Sequence, residues 1–302
     1  MNYFQYRNSF EWQVMEFFHS FSNNILNPIF QFITEFGSGE IVFAIILFYY
    51  YCINKDFAKK LAFILSTSFV FNGIFKSFFL AKRPFQFPGK EYLQKLPNSD
   101  GATGTSFPSG HSQNAGALYS SLIINKTPKF IKIISIIMLF IVPISRLYLG
   151  VHFFGDVIIG LILGIGISLS LNYAYEHVKN PKVLYLIFSL IIIITIPILI
   201  INWNNPHCAD LFKSFGLLLA VFGANFIETN YIKFTTNVSL KHKVIRVIIG
   251  LIFTLGLKSG LKIIFPVHNL FDLLRYFIMA FVALGVIPMF FKGEKNGKYQ
   301  IL

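Results

Sequence analysis

Long apolar runs recur along this chain, and they constrain its fold more than any other feature. Each run is continuous rather than alternating, which is typical of membrane-spanning helices and not of the strands of a barrel. Helices also satisfy their backbone hydrogen bonds internally, as hydrocarbon requires. The sequence therefore predicts an all-α, polytopic membrane bundle of about nine transmembrane helices, near residues 40–54, 60–80, 112–125, 130–149, 155–175, 182–202, 209–229, 245–265 and 270–291.

The composition agrees with a chain whose surroundings are the lipid bilayer. Of its 302 residues, 55% are hydrophobic and 13% are charged, whereas about 25% are charged in a typical soluble domain. The formal net charge is +13, which in a soluble protein would suggest a nucleic-acid partner. The placement of the basic residues gives a different interpretation.

Basic residues alternate between rich and poor connections of the predicted bundle. If each apolar run crosses the membrane once, all the connections that are rich in basic residues lie on the same side of it. The positive-inside rule identifies that side as cytoplasmic. We therefore expect no nucleic-acid partner, and we place residues 81–110, 150–155, 203–208 and 266–269 outside. The inner basic residues are Lys55, Lys59, Lys60, Lys126, Lys129, Lys132, Lys179, Lys182, Lys233, Lys241, Lys243, Arg246, Lys292, Lys295 and Lys298.

The first forty residues are too polar for a simple span. Charged and polar residues, among them Glu11, Glu16 and His19, are scattered between aromatic residues. The segment also lacks the basic start, clean apolar core and small-residue cleavage site of a signal peptide. It predicts a pair of interfacial or short re-entrant helices.

Three polar clusters interrupt the apolar pattern at the predicted outer face. In the first, "KSFFLAKRP", Lys76 lies about four residues before the end of its span. An isolated lysine there would reach the interface with its long side chain, but a charge inside a span indicates a site by default. Arg83 follows seven residues later, and Pro84 ends the helix.

The second cluster is "FPSGH", directly before a run that can become a helix. Ser109 is a favoured N-cap, Gly110 allows close backbone approach, and His111 falls in the first helical turn. The N–H groups at such a helix start form an anion site. For "SGH" alone, an ordinary capped helix that carries a histidine is an equally good interpretation.

The third cluster is "SRLYLGVHFFGDV", where Arg146 ends a span and His152 and Asp156 follow. Their separation of four places both side chains on one face if the segment is helical. A carboxylate on one ring nitrogen fixes the tautomer and leaves the other nitrogen free as a nucleophile. A purely structural pairing of His152 with Asp156 is the alternative.

The lysine-derived topology brings these clusters to one face, where their chemistry points to phosphoryl transfer. Lysine and arginine bind phosphate oxygens, and backbone N–H groups from Ser109 to His111 would complete a cradle for the charge of the transition state. The sequence offers no carboxylate cluster for Mg²⁺ and no Cys/His set for zinc. We therefore expect neither a metal nor another cofactor.

Together the three motifs resemble the signature motifs of the type 2 phosphatidic acid phosphatase family, whose fold and anion pocket are shared with vanadium haloperoxidases. The lead-in to the first motif is similar to the membrane branch that includes sphingosine-1-phosphate phosphatases. The resemblance implies that His152 attacks phosphorus to form a phosphohistidine, that Asp156 holds His152, and that His111 protonates the leaving oxygen. It assigns phosphate binding to Lys76, Arg83, Ser109, Gly110 and Arg146.

The expected protein is a metal-independent membrane phosphatase that hydrolyses a lipid phosphate or diphosphate at the outer face. Its Phe, Ile, Lys and Asn bias suggests a bacterial plasma membrane. The two alternatives are a lipid phosphotransferase with the same site and a non-catalytic lipid transporter. The predicted domains are the N-terminal helix pair (1–38), the catalytic core (39–177) and additional C-terminal transmembrane helices (178–302).

Charged residues recur in or beside the last two predicted spans, namely Lys258, Lys262, Asp272 and Arg275. A second site for a lipid head group is one interpretation. An intramembrane Asp–Arg or Asp–Lys pair that steadies the helices is the one that we favour. The pattern assigns neither a particular lipid nor an oligomeric state.

Overall fold

The computed structural model describes residues 8–90, 92–93, 104–178, 181–291, 293–295 and 298–300. Part of the predicted outer loop, residues 91 and 94–103, lies outside this range, as do Lys179 and Lys292. Eleven helices are described: α1 Ser9–Ser20, α2 Leu26–Glu35, α3 Gly39–Phe48, α4 Lys55–Phe79, α5 Gly110–Ile124, α6 Lys129–Tyr148, α7 Phe154–His177, α8 Pro181–Ile201, α9 Ala209–Ile227, α10 Leu240–Ile264 and α11 Asn269–Phe281.

Shorter elements extend or join these helices. π-helical segments follow α3, α9 and α11 at Tyr49–Ile53, Glu228–Ile232 and Val282–Val286, and 3₁₀ turns lie at Pro84–Gln86, Pro206–Cys208 and Ile287–Phe290. The strands β1 (Gly293–Lys295) and β2 (Lys298–Gln300) pair in an antiparallel manner, with Gly293 opposite Gln300. Helices form every long element of the described chain, which confirms the all-α prediction for the membrane part.

Each of the nine predicted apolar runs is helical, but fewer than nine helices meet the length and hydropathy of a membrane span. Among the described residues, six helices are long and apolar enough to cross a membrane: Lys55–Gln86, Lys129–Tyr148, Phe154–His177, Pro206–Ile232, Leu240–Ile264 and Asn269–Phe290. A seventh candidate is the pair Leu26–Glu35 and Gly39–Ile53, which bends by 52° and is either a broken span or a re-entrant loop. The count of nine spans stays a prediction.

Contacts divide the chain into two compact units. The first contains the described residues up to Val42 together with Phe71–Ile198, and it holds every predicted site residue. The second contains Phe43–Val70 and the described residues from Leu199 onward. The domain boundaries predicted after residues 38 and 177 follow motifs and length rather than contacts, and they stay predictions.

In the first unit, helices α5 and α7 approach so closely that glycine is needed at the contact. A Cβ atom on Gly160 would lie 2.5 Å from the carbonyl oxygen of Ser109, and one on Gly164 would overlap the carbonyl oxygen of Gln113. Gly116 of α5 faces α7 in the same way, since its Cβ would lie 2.6 Å from the carbonyl oxygen of Leu161. The two helix backbones therefore touch directly, which fixes the start of α5 against α7.

Hydrogen bonds between polar side chains continue this contact toward the other end of the helices. The hydroxyl groups of Ser121 and Ser168 are 2.7 Å apart, and the Asn125 amide donates to Oδ1 of Asn172 at 2.8 Å. Such bonds satisfy polar groups that hydrocarbon would otherwise leave unpaired.

Charged residues form ion pairs within the second unit. Glu228 is fully buried and accepts a hydrogen bond from Lys55 Nζ at 2.6 Å, and it also pairs with Lys59. Asp272 and Arg275 of α11 pair with one another, which confirms the ion pair that we favoured for these two residues.

The contact between α5 and α7 generates a prediction about stability. Gly164→Ala places a methyl group against the α5 backbone, so we expect a loss of about 1–3 kcal/mol in the free energy of unfolding. Gly166→Ala is the matched control, because nothing lies within 4 Å of its Cβ position; its effect should stay within about 1 kcal/mol. Thermal unfolding in detergent compares the two variants, and equal stability would contradict the close contact.

Candidate active site

The start of α5 has the local structure that its sequence predicts. Ser109 is the N-cap, and its side-chain oxygen accepts hydrogen bonds from the backbone N–H and the hydroxyl of Ser112, at 3.4 and 3.0 Å. Gly110 and His111 occupy the first turn, where an α-helix leaves N–H groups without intrahelical partners. The N–H of Ser109 is engaged instead with the carbonyl oxygen of Asp156 at 2.9 Å, so it does not belong to the expected cradle.

The first motif places two cations in the same unit. Lys76 is buried in the last turn of α4, as predicted. Arg83 is also buried and begins the 3₁₀ turn Pro84–Gln86. Its Nε donates to the carbonyl oxygen of Gly104 and its Nη1 to that of Val151, both at 3.1 Å. The same Nη1 lies 3.1 Å from Nε2 of His152, so Arg83 joins the first motif to the third.

Arg146 ends α6 and reaches toward the N-terminal helices. It is 3% exposed, and its Nη1 donates to the hydroxyl of Thr34 in α2 at 2.5 Å. The charge of Glu35 also acts on it. Its Nε is buried without a hydrogen-bond partner in the described part of the chain. An anion in the site would supply that partner, since arginine binds phosphate through adjacent N–H groups.

The pair His152 and Asp156 differs from the expected helical arrangement. Helix α7 begins at Phe154, so His152 precedes it, and Asp156 lies in its first turn. The Asp156 carboxylate accepts the backbone N–H of Phe153 at 3.0 Å and so helps to cap the helix. Its Oδ2 is 3.7 Å from Nδ1 of His152, too far for a direct hydrogen bond.

A serine that the sequence analysis did not single out connects the two groups. The Ser106 hydroxyl donates to Oδ2 of Asp156 at 2.6 Å and lies 3.3 Å from Nδ1 of His152. Ser106, His152 and Asp156 are all buried. Because Nδ1 faces the Ser106 hydroxyl, Nε2 is the ring nitrogen that can act as a nucleophile, and it lies beside Arg83.

The surroundings of His152 keep its imidazole neutral. Burial, and next the positive charge of Arg83, lower the pKa of His152 to about 3, although Asp156 opposes this shift. His152 lies in the turn between α6 and α7. At neutral pH its Nε2 therefore carries a lone pair, as a nucleophile requires.

The structure brings the three predicted clusters together. The charges of Arg146, His152, Arg83 and Lys76 all act on His111, and Ser109 is hydrogen bonded to the backbone of Asp156. Gly110 follows Ser109 at the start of α5. All eight predicted site residues thus belong to one compact unit, while their chemical roles stay predictions.

Some residues of the site carry no recognisable signal in the sequence. Ser106 lies only two residues before the "PSGH" motif, so its nearness to that motif could have made it a candidate site residue. Thr34 lies more than a hundred residues before its partner Arg146, so no spacing argument could have found it. Asn72, whose amide donates to Gln113 Oε1 at 2.8 Å and holds the start of α5, is likewise a tertiary contact.

No three His, Cys, Asp or Glu side chains come together in the described residues in a way that could hold a metal ion. A reaction without a metal stays a prediction.

The bridging position of Ser106 generates a prediction. Ser106→Ala removes the hydroxyl between Asp156 and His152, so the imidazole loses its restraint, and we expect kcat to fall about ten- to a hundredfold with little change in KM. Ser120→Ala is the control, because that buried hydroxyl bonds only within its own helix, to the carbonyl oxygen of Gly116. Steady-state phosphate release measures both variants, and full turnover by Ser106→Ala would exclude the positioning role.

Comparison with known proteins gives matches along much of the chain. The PAP2 superfamily matches residues 57–179, and the family described as "PAP2 superfamily phosphatase, transmembrane extension" matches residues 212–296. Phosphatidylglycerophosphatase B of Bacillus subtilis is 37% identical over 84 residues, which are 25% of this chain and 41% of that protein. Undecaprenyl-diphosphatase of Sulfolobus acidocaldarius is 30% identical over 146 residues, covering 47% of this chain and 68% of that protein.

A solved structure is also similar to the chain. The first transmembrane PAP2 type phosphatidylglycerolphosphate phosphatase from Bacillus subtilis superposes with a TM-score of 0.48 at 25% identity, over 57% of this chain and 87% of that one. The transmembrane extension and the apolar helices identify an integral membrane protein. Because the Sulfolobus protein is matched over two thirds of its length at 30% identity, and both family matches agree, this chain belongs to the PAP2 superfamily.

Proposed function

We propose that the protein is a membrane phosphatase that hydrolyses a lipid phosphate or diphosphate without a metal ion, through a phosphohistidine intermediate. One observation carries the proposal: the buried, neutral imidazole of His152 has its Nδ1 side toward Ser106 and its Nε2 beside the guanidinium of Arg83. A nucleophile next to phosphate-binding cations is the arrangement that phosphoryl transfer needs.

In the first step, Nε2 of His152 attacks phosphorus, and the bond between phosphorus and the leaving oxygen breaks. Lys76, Arg83 and Arg146 hold the phosphoryl oxygens, with the hydroxyl of Ser109 and the N–H of Gly110. Arg83 has to exchange its contact with Nε2 for one with a phosphoryl oxygen. The free Nε of Arg146 provides one of the donors. His111 takes up a proton when the phosphate anion binds, because the anion offsets the positive charges that act on this imidazole. It then gives that proton to the leaving oxygen.

In the second step, water attacks the phosphohistidine, phosphate leaves, and His152 returns to its neutral form. His111, deprotonated by the first step, accepts the proton of the attacking water. Ser106 and Asp156 keep the ring in one orientation and stabilise the charge that it gains on attack.

The substrate class is proposed from the membrane setting and from the relatives. The two named relatives are a phosphatidylglycerophosphatase and an undecaprenyl-diphosphatase, and both names describe lipids whose phosphate lies at the membrane surface. Lys76 and Arg146 lie in the last turns of α4 and α6, two helices that are long and apolar enough to cross a membrane. This position is compatible with a phosphate carried at the membrane surface. We assign the site to the outer face of a bacterial plasma membrane, on the distribution of lysines.

Release of phosphate from a panel of isoprenyl, glycerol and sphingoid phosphates tests this proposal. We expect release from at least one class, unaffected by EDTA and inhibited competitively by orthovanadate, which can take the five-coordinate geometry of the transition state. In intact cells, a membrane-impermeant substrate should also be hydrolysed if the site faces outward. A transporter would release no phosphate, a phosphotransferase would require an acceptor lipid, and loss of activity in EDTA would contradict the metal-free reaction.

Arg146→Lys sharpens the same test, because lysine keeps the charge and loses the guanidinium Nε. It should weaken turnover and vanadate inhibition together. Arg275→Lys makes the same exchange in the ion pair with Asp272, outside the unit that holds the site, and should leave both near the wild-type values.

A further inference from the structure

The first turn of α1 contacts all three residues that separate His152 from Asp156. The rings of Trp12 and Phe153 meet edge to face with centroids 4.8 Å apart. The rings of Phe10 and Phe154 do so at 5.8 Å. Between them, the Glu11 carboxylate accepts the backbone N–H of Gly155 at 3.1 Å.

Glu11 is unusual for a charged residue because it is only 4% exposed. A buried carboxylate is costly unless it is hydrogen bonded, and here it lies at the start of α7, where N–H groups lack intrahelical partners and the helix dipole favours negative charge. Asp156 accepts the N–H of Phe153 and Glu11 that of Gly155. Two carboxylates from distant parts of the chain thus hold the same helix start.

The residue that faces Glu11 is glycine for a steric reason. A Cβ atom on Gly155 would lie 2.6 Å from Oε1 of Glu11, closer than a carbon and an oxygen can approach without a shift. Any larger residue would move the carboxylate away from the Gly155 N–H. Glu11 and Gly155 are therefore matched to one another.

We propose that Glu11 is a positioning residue for His152: it fixes the backbone of Phe153–Gly155, and with it the imidazole and the Asp156 carboxylate that this segment joins. The inference rests on the proposed function. It extends the site beyond the two family matches, which begin at residues 57 and 212. Helix α1 thereby belongs to the catalytic apparatus rather than serving only as an interfacial helix.

Substitution of Glu11 tests this role through the split between kcat and KM. Glu11→Ala should lower kcat about ten- to a hundredfold with KM within about twofold, because His152 is displaced while the phosphate-binding cations stay in place. Glu11→Gln keeps an oxygen that can accept the Gly155 N–H and should recover most of the loss. Gln13→Ala, on the exposed side of α1, should match the wild type.

A double-mutant cycle with Gly155 separates positioning from general damage to the fold. Gly155→Ala should lower kcat as Glu11→Ala does, because its methyl group displaces the carboxylate. In the Glu11→Ala background the same change should have little further effect, since nothing remains to be displaced. Additive losses in the cycle would overturn the proposal. If Glu11→Ala is not recovered in folded form, Glu11→Asp takes its place in the cycle, because the shorter side chain leaves room for the methyl group. A smaller loss from Gly155→Ala in that background supports the contact, and an equal loss overturns the proposal.

Binding of orthovanadate, followed by thermal shift, reports the same positioning without turnover. Glu11→Ala should bind vanadate at least tenfold more weakly than Gln13→Ala, since the ligand needs Nε2 of His152 in place. If the wild type released no phosphate, the proposed function would be wrong. The comparison of vanadate binding would still test the positioning role of Glu11. Wild-type kcat and vanadate affinity in folded Glu11→Ala, with His152→Ala inactive, would overturn the inference alone.

Discussion

The buried carboxylate of Asp156 holds together the elements on which the site depends. It accepts the Ser106 hydroxyl at 2.6 Å and the Phe153 N–H at 3.0 Å, and the backbone carbonyl of the same residue accepts the Ser109 N–H at 2.9 Å. A carboxylate that is fully buried persists only when such bonds replace its hydration. Asp156 thus connects the start of α7 with the start of α5 and with Ser106 in the segment before α5, and the orientation of His152 follows from that connection.

A concentration of positive charge surrounds this arrangement. Lys76, Arg83 and Arg146 are all buried, and their charges all act on His111. The charge of Arg83 also acts on Arg146. Among the described groups, the charge of Glu35 offsets part of this on Arg146. Like charges that are buried together favour the binding of an anion, because an anion relieves their repulsion as well as supplying hydrogen-bond acceptors. This arrangement of charge supports our proposal that the site binds a phosphate group.

The sequence predicted the parts of the site that depend on local rules. The N-cap at Ser109, the helical turn that carries His111 and the burial of Lys76 follow from capping preferences and from the cost of charge in a span, and the structure confirms them. The helical pairing of His152 with Asp156 was wrong, because Asp156 caps the helix at Phe153 and so His152 falls before it. The roles of Ser106, Thr34 and Glu11 depend on contacts between distant segments, which no local pattern contains. The number of spans is similarly undetermined by pattern, since α5 is apolar in part but only 15 residues long.

Covalent chemistry at His152 is the central claim of this account. Rapid quenching of the enzyme with its labelled lipid substrate, followed by mass spectrometry at alkaline pH where phosphohistidine survives, locates the phosphoryl group directly. The account predicts one phosphorylated residue, His152, with the label absent from His152→Ala and accumulating when the attack of water is slowed. Phosphorylation of a different residue, or a labelled His152→Ala enzyme, would contradict it.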